Sequence, residues 1–147
     1  MATTFSLLEN YNNASGVPNQ RTESPAFFIH SALGMQFNRI TLIGLNLEYN
    51  KYPQSQYNFV PLYLSFQRNI IRSTNDFYLR GGYGSLLDMG RNFRNGRIYK
   101  IGAGYQIYYN KGKNSFLAGI DYTNKKLKND LIESLSSISI YLEFMLF

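Results

Sequence analysis

The stretch SISIYLEFMLF, residues Ser137–Phe147, decides the fold. Every second residue in it is apolar, and polar residues fall between: the apolar row is Ile138, Ile140, Leu142, Phe144 and Leu146. Successive side chains of a β-strand point to opposite faces. The stretch therefore predicts a strand with one oily face and one polar face, and the fold follows from what the oily face contacts.

The composition is unusual for a soluble core. Aromatic residues make up 16% of the 147-residue chain, as much as all charged residues together, and the net charge is +6. The mean hydropathy is −0.28, and no run of about 18 apolar residues predicts a membrane-spanning helix. Cysteine is absent, which excludes disulfides and thiolate metal sites. The length predicts one domain over residues 1–147. The first ten residues lack the regions of a signal peptide, so we expect the mature chain.

Apolar alternation at period two recurs along the whole chain and predicts eight strands. Their approximate bounds are Thr3–Asn12, Ala26–Phe37, Thr41–Asn50, Asn58–Gln67, Asp76–Leu86, Arg97–Asn110, Ser115–Thr123 and Ser136–Phe147. Each is near the 9–11 residues that a tilted strand needs to cross a membrane.

The predicted connections alternate in length. Four are long and polar, namely NASGVPNQRTESP, KYPQSQY, LDMGRNFRNG and NKKLKNDLIESLS, and three are shorter, namely NRI, RNIIRSTN and NKGKN. We call the two sides the long-loop end and the short-turn end; both termini fall at the latter. This pattern is typical of an outer-membrane barrel. It predicts an all-β, eight-stranded, antiparallel, up-and-down transmembrane β-barrel, with extracellular long loops and periplasmic termini.

The two parities of the strands differ in chemistry. One is apolar with aromatic residues near both ends, which predicts two girdles at membrane interfaces; the girdle residues are Phe37, Tyr49, Phe66, Phe77, Tyr99, Tyr109, Phe116, Tyr122 and Phe144. Phe27 and Phe37 are ten residues apart, and ten tilted residues span roughly 25 Å, the height of an apolar membrane band. The alternative is a soluble barrel of lipocalin type, in which the apolar parity would face inward around a ligand.

The other parity predicts a polar lumen packed with charges, tyrosines and glycines. Its expected network is His30, Glu48, Arg80, Lys100, Asp121 and Glu143. A turn at residues 38–40 pairs Phe37 with Thr41 and sets His30 opposite Glu48. Such a pair with a serine would suit a hydrolase, but no motif places an inward serine beside it, so we expect an interior hydrogen-bonded pair. We predict no catalytic, cofactor or metal residues; the glycines of Gly81–Gly84 and Gly102–Gly104 do not complete a phosphate-binding motif.

Several phrases resemble the small outer-membrane β-barrel proteins of the Bacteroidota, with an eight-stranded OmpA-like or porin-like barrel domain. They are ALGMQFNRITLIGLNLEYNKYP, NFVPLYLSFQRNI, DFYLRGGYGSLLDM, YKIGAGYQI and the terminal SISIYLEFMLF. The resemblance implies that Phe147 is the C-terminal signal read by the barrel-assembly machinery. Phe147 departs from that pattern, because it is one residue out of phase with Phe144; a bulge, or a position just past the strand, would reconcile the two.

The function expected from these features is structural: a small membrane anchor or an accessory subunit of a larger outer-membrane complex. The alternatives are a narrow pore, for which Arg80 and Lys100 would set selectivity, and a lipid-modifying enzyme that uses His30. Basic residues predicted in the long loops would contact lipopolysaccharide phosphates; they are Arg21, Lys51, Arg91, Arg94, Arg97, Lys125, Lys126 and Lys128. A nucleic-acid partner is not expected.

Overall fold

In the computed structural model, period-two alternation forms nine strand segments. They are β1 (Ala2–Asn13), β2 (Phe27–Phe37), β3 (Thr41–Lys51), β4 (Asn58–Phe59), β5 (Pro61–Ile71), β6 (Asn75–Leu86), β7 (Gly96–Tyr109), β8 (Asn114–Leu127) and β9 (Ile132–Leu146). The structure describes residues 2–13, 27–37, 40–51, 58–71, 75–90, 95–109, 114–128 and 132–146, with the backbone alone for 2–13, 27, 132, 133 and 146. None of these residues forms a helix long and apolar enough to cross a membrane.

The strands form one antiparallel sheet that returns on itself. Each strand pairs with its neighbours in sequence, and β1 pairs with both β2 and β9. Segments β4 and β5 both pair with β3 and together count as one strand of the barrel, interrupted at Val60. The next residue, Pro61, cannot donate a ladder hydrogen bond. The result is the predicted eight-stranded, up-and-down barrel.

The faces of the sheet confirm that the apolar parity points outward. Along β3, Asn46, Glu48 and Asn50 are buried, whereas Leu45 and Leu47, which alternate with them, are about half exposed. The same inversion holds on β5 to β9. A soluble barrel would bury its apolar parity, so the lipocalin-type alternative is wrong. An exposed apolar belt this continuous is what a lipid-embedded protein presents.

The register of the hairpin between β2 and β3 is the predicted one. Phe37 pairs with Thr41, and His30 pairs with Glu48. The amide of Ile40 donates to the carbonyl of Phe37 over 3.1 Å and closes the turn. An odd number of turn residues keeps both strands in phase, so their polar side chains share the lumen.

Several strands are longer than predicted. β5 continues four residues past Gln67, which places Arg68 on the outward parity, exposed and opposite Thr41. The apolar face is therefore not free of charge. β8 and β9 extend into the stretch predicted as the fourth long loop, leaving only residues 128–131 between them. Alternation continues there with polar residues, since strand ends beyond the lipid need not be apolar.

An apolar cluster fills the lumen at the long-loop end. It consists of Phe28, Phe59, Tyr63, Leu86, Ile98 and Leu135, all buried. Lys125, predicted as a loop cation, is instead buried inside, with its ammonium 5.2 Å from the ring of Phe28 and 5.0 Å from that of Phe59. Aromatic faces attract a cation at this distance. The cluster caps the polar lumen below it.

One seam of the barrel is short. β1 pairs with β2 over four residues, from Ala2 opposite His30 to Phe5 opposite Phe27. Ala2 also lies opposite Glu143 on β9. Within the described residues, β2 from Ser31 to Phe37 therefore has a strand partner on its β3 edge alone.

Glycines in the lumen make room for large side chains. A methyl group added to Gly104 would lie 2.6 Å from the hydroxyl oxygen of Tyr141 and 2.8 Å from that of Tyr78, and it would also meet the carbonyl oxygen of Ala118. These separations are shorter than any normal contact. Gly81, on the outward parity of β6, is the opposite case, because the nearest atom to an added methyl is the Lys100 carbonyl oxygen at 3.8 Å.

We expect Gly104→Ala to lower the free energy of unfolding by about 1–3 kcal/mol through overpacking, and Gly81→Ala to change it by less than half as much. Urea titration of the protein refolded in lipid vesicles measures both. Equal stability of the two variants would contradict the packing described for Gly104.

Candidate functional site in the barrel lumen

The centre of the lumen is organised by Arg80 on β6. Its Nε donates to Asp121 Oδ1 over 2.9 Å, and its Nη2 donates to the other oxygen of the same carboxylate. Its Nη1 donates to Glu143 Oε1 over 2.6 Å. The planar fork of arginine suits this two-sided pairing. One guanidinium thereby connects β6, β8 and β9 across the barrel.

A second ion pair lies toward the long-loop end. Lys100 on β7 donates to Glu48 Oε1, and the hydroxyl of Tyr63 donates to the same oxygen over 2.5 Å. Lys100 also lies 3.7 Å from Asp121 Oδ2, which joins this pair to the Arg80 group. Lys100 and Glu48 are almost wholly buried, with 5% and 3% of their side chains exposed. Charges removed from water this fully are stable only when paired, and here each is.

His30 joins the network through other partners than predicted. Its register opposite Glu48 is as expected, but its Nε2 lies 2.8 Å from Asn46 Oδ1 and its Nδ1 lies 3.5 Å from Glu143 Oε1. Glu48 instead binds Tyr63 and Lys100, so the predicted His30–Glu48 hydrogen bond is wrong. The side-chain nitrogen of Asn46 donates to Ser65 Oγ over 2.7 Å. Strand register sets which backbone residues pair, but long side chains can reach partners on other strands across the lumen.

Two tyrosines close the layer on the short-turn side. The hydroxyl oxygens of Tyr78 and Tyr141 are 2.6 Å apart, and the guanidinium of Arg80 lies 3.6 Å from the centre of the Tyr141 ring. Stacking on an aromatic face stabilises a cation in a dry environment. All six predicted lumen residues thus lie inside the barrel and within one connected group.

A second polar cluster was not predicted. Near the short-turn end, Asn69 donates to Asp76 Oδ2 over 2.9 Å, and the Tyr108 hydroxyl donates to the same oxygen over 2.8 Å. Gln106 donates to Ser115 Oγ over 2.9 Å. Sequence reasoning placed Asn69 in a turn. The alternation of inward Gln67 and Asn69 with outward Arg68 and Ile70 was the signal that the strand continues.

The predicted girdle residues point outward in the structure. Side chains at least one-third exposed are Phe37, Tyr49, Phe66, Tyr99, Tyr109, Phe116, Tyr122 and Phe144, and Phe77 is intermediate. Phe66 lies five residues from the end of β5, so it sits further into the apolar band than predicted. Phe147, and the cations Arg21, Arg91 and Arg94, lie outside the described residues.

We expect Arg80→Leu to destabilise the barrel by about 3–5 kcal/mol, because two buried carboxylates lose their shared cation. Adding Asp121→Asn and Glu143→Gln to the same chain removes those charges, and much of the loss should be recovered. Arg68→Leu is the matched control: the same change on the outward face should cost under about 0.5 kcal/mol. Urea titration in lipid vesicles distinguishes the three. A fully unfolded triple variant would contradict the charge-pairing explanation.

Comparison with known proteins agrees with this architecture. No protein-family model matches the chain, and no curated protein sequence matches it. Among solved structures, Neisserial surface protein A, an eight-stranded outer-membrane β-barrel, superimposes with a TM-score of 0.69 over 99% of this chain and 94% of that chain, at 12% sequence identity. The chain is thus similar in fold to a small outer-membrane barrel, and membership of the Bacteroidota group stays a prediction.

Proposed function

We propose that this protein is an integral outer-membrane barrel that acts as a non-catalytic accessory subunit, docking through its outer surface to a larger membrane assembly. The filled lumen carries this proposal. The apolar cluster closes the long-loop end, and the ion pairs of Arg80 and Lys100 cross the middle. Because side chains occupy the lumen both at the long-loop end and in the middle, the structure supports a plugged barrel more than an open pore.

The chemistry around His30 supports a non-catalytic role. Its Nε2 contacts the Asn46 side-chain oxygen. Ser65, on the neighbouring strand, accepts from Asn46 and donates to the Gly44 carbonyl, which leaves its hydroxyl directed away from His30. A nucleophile needs its base within hydrogen-bond reach, and this serine is bound elsewhere.

The outer face of β6 to β8 is the surface we assign to docking. Gly81, Ala103 and Ala118, one on each strand, form a diagonal row of small outward residues across β6, β7 and β8. Cross-strand aromatic pairs flank it, with Tyr83 and Tyr99 centroids 5.1 Å apart at one end. Small residues between membrane-embedded elements permit close approach of a partner's backbone.

We expect purification from native membranes in mild detergent to yield a stoichiometric partner, identified by mass spectrometry. Ala103→Phe fills the proposed docking row and should release that partner, whereas Leu45→Phe on the opposite wall should retain it. A solitary monomer that conducts ions in planar bilayers would support the narrow pore instead. A lipid profile altered by His30→Ala would support the enzyme.

The proposed orientation places the long-loop end outside the cell, against lipopolysaccharide. Arg97 on β7 and Lys126 on β8 are directly paired across the sheet, and both are exposed on the outward side. Like charges directly opposite destabilise a sheet unless an anion lies between them. The Lys126 ammonium also lies 5.8 Å from the ring of Tyr99, a girdle residue at the long-loop end. A lipid phosphate at headgroup height fits between the two cations.

We expect the double variant Arg97→Gln, Lys126→Gln to bind lipopolysaccharide about thirtyfold more weakly after detergent extraction, since each of the two cations near an anionic surface contributes about 1 kcal/mol. The amount bound is measured by quantitative mass spectrometry of the purified protein. Arg68→Gln, at the other end of the barrel, is the control and should retain the wild-type amount. The reverse pattern would contradict the orientation.

A further inference from the structure

The outer wall of β7, β8 and β9 changes from apolar to cationic over three successive rows of paired residues. Toward the long-loop end, they are a lipid row of Ile101, Tyr122 and Ile138, a neutral row of Tyr99, Asn124 and Ser136, and a cationic row of Arg97, Lys126 and Ser134. Successive rows on a strand lie about 6–7 Å apart. An amphiphile lying along this wall therefore meets apolar, neutral and cationic groups in that order.

Ser136 is the hydrogen-bonding centre of the neutral row. Its Oγ accepts from Asn124 Nδ2 over 2.8 Å and from the Tyr122 hydroxyl over 3.1 Å. A serine hydroxyl has two acceptor lone pairs and one hydrogen to donate, so these two bonds fill its acceptor capacity. The hydroxyl hydrogen of Ser136 is therefore what it can offer to a ligand.

Asn124 supplies the complementary acceptor. Because its amide nitrogen is turned toward Ser136, its carbonyl oxygen points to the other side of the side chain. Both residues are partly exposed on the outward parity. The neutral row thus presents an acceptor and a donor side by side. A single ligand group that satisfies both must itself donate and accept, as a hydroxyl or a secondary amide does.

The cationic row fits the charged part of such a ligand. Arg97 and Lys126 lie directly opposite each other and are exposed, and the Lys126 ammonium lies 5.8 Å from the Tyr99 ring. Ser85 pairs with Arg97 on one side, and Ser134 pairs with Lys126 on the other, so a hydroxyl-bearing residue flanks each cation. Two adjacent cations with hydroxyls beside them are suited to a phosphate.

The order of the rows distinguishes between classes of phosphorylated lipid. On β8, Asn124 lies between the lipid row and Lys126. A bound lipid must therefore place an N–H or O–H donor between its hydrocarbon and its phosphate. The glycerol backbone of a common phospholipid has ester oxygens at that level, which accept hydrogen bonds and cannot donate them. An N-acylated amino sugar has an amide and hydroxyls there, and its phosphate is attached to the same ring.

We propose that Asn124 and Ser136 bind the amide and hydroxyl groups of a phosphorylated, N-acylated amino sugar whose phosphate lies between Arg97 and Lys126. The occupant is the sugar of lipopolysaccharide in the outer leaflet, and its acyl chains lie along the lipid row. This inference rests on the proposed contact of the two cations with lipopolysaccharide and adds the part of the ligand that gives specificity. The two cations alone would bind every phosphorylated lipid about equally.

The first arm of the test compares three lipids that each carry one phosphate. The folded protein in maltoside micelles is titrated with monophosphoryl lipid A, ester-linked phosphatidic acid or ceramide 1-phosphate, and bound lipid is counted by native mass spectrometry. Lipid A should bind about tenfold more tightly than phosphatidic acid, since it gains two neutral hydrogen bonds. Equal affinity for these two would overturn the proposal. Tightest binding of ceramide 1-phosphate, which has the amide without the sugar, would overturn the sugar as occupant.

The second arm removes the neutral hydrogen-bonding groups. The double variant Asn124→Leu, Ser136→Ala should lower the affinity for lipid A about tenfold and leave that for phosphatidic acid unchanged. Asn114→Leu is the matched control, because Asn114 lies on the same strand and the same outward parity at the short-turn end. It should keep the wild-type preference. Equal losses for both lipids in the double variant, or no loss for either, would overturn the inference.

The third arm tests the phosphate contact separately. Arg97→Gln with Lys126→Gln should weaken lipid A and phosphatidic acid by the same factor and preserve the ratio between them. Unchanged affinity for both lipids would contradict the phosphate contact, and with it this inference. Loss of both affinities without any wild-type preference for lipid A would contradict the sugar contact alone. All the substituted side chains are at least partly exposed, so the variants should fold, and heat-modifiable mobility in electrophoresis checks this.

Discussion

The rest of the barrel depends on the ion pairs that the guanidinium of Arg80 forms in the lumen. It holds Asp121 and Glu143, and through Asp121 it reaches Lys100 and Glu48. In a protein surrounded by lipid, every charge at this depth must lie inside, and the interior of an eight-stranded barrel is only about as wide as its side chains need. The glycines beneath Asp121 and Tyr141, and the tyrosine ring over Arg80, follow from fitting one charged group into that space.

Alternation along the chain was enough to predict the strands, their order and which parity faces lipid. It also predicted the register of β2 on β3, because a three-residue turn permits only one phase. It could not predict which lumen charges pair. Partners such as Arg80 and Glu143 are 63 residues apart, and their contact depends on strand tilt and on side-chain length. His30 therefore reached Glu143 and Asn46 instead of binding Glu48.

The errors at strand ends have a common cause. Lys125, Asn69 and Arg68 are polar, and polar residues near a turn were assigned to the turn. A strand that leaves the hydrocarbon keeps its backbone ladder while its side chains are free to be charged. Composition then stops marking the boundary, although period-two alternation persists. Lys125 shows this clearly, since its ammonium lies near two aromatic rings inside the barrel while its neighbours in sequence lie on the outward parity.

The alternation of the strands also bears on how such a chain can travel before it folds. An extended strand that exposes one apolar and one polar face has a low average hydrophobicity, and the whole chain averages −0.28. Machinery that inserts helices responds to continuous apolar segments of about 20 residues, and this chain offers none in its sequence. Its affinity for lipid emerges only when the sheet curls and gathers every second side chain onto one surface. The unfolded polypeptide is compatible with water, and the folded barrel is compatible with a bilayer.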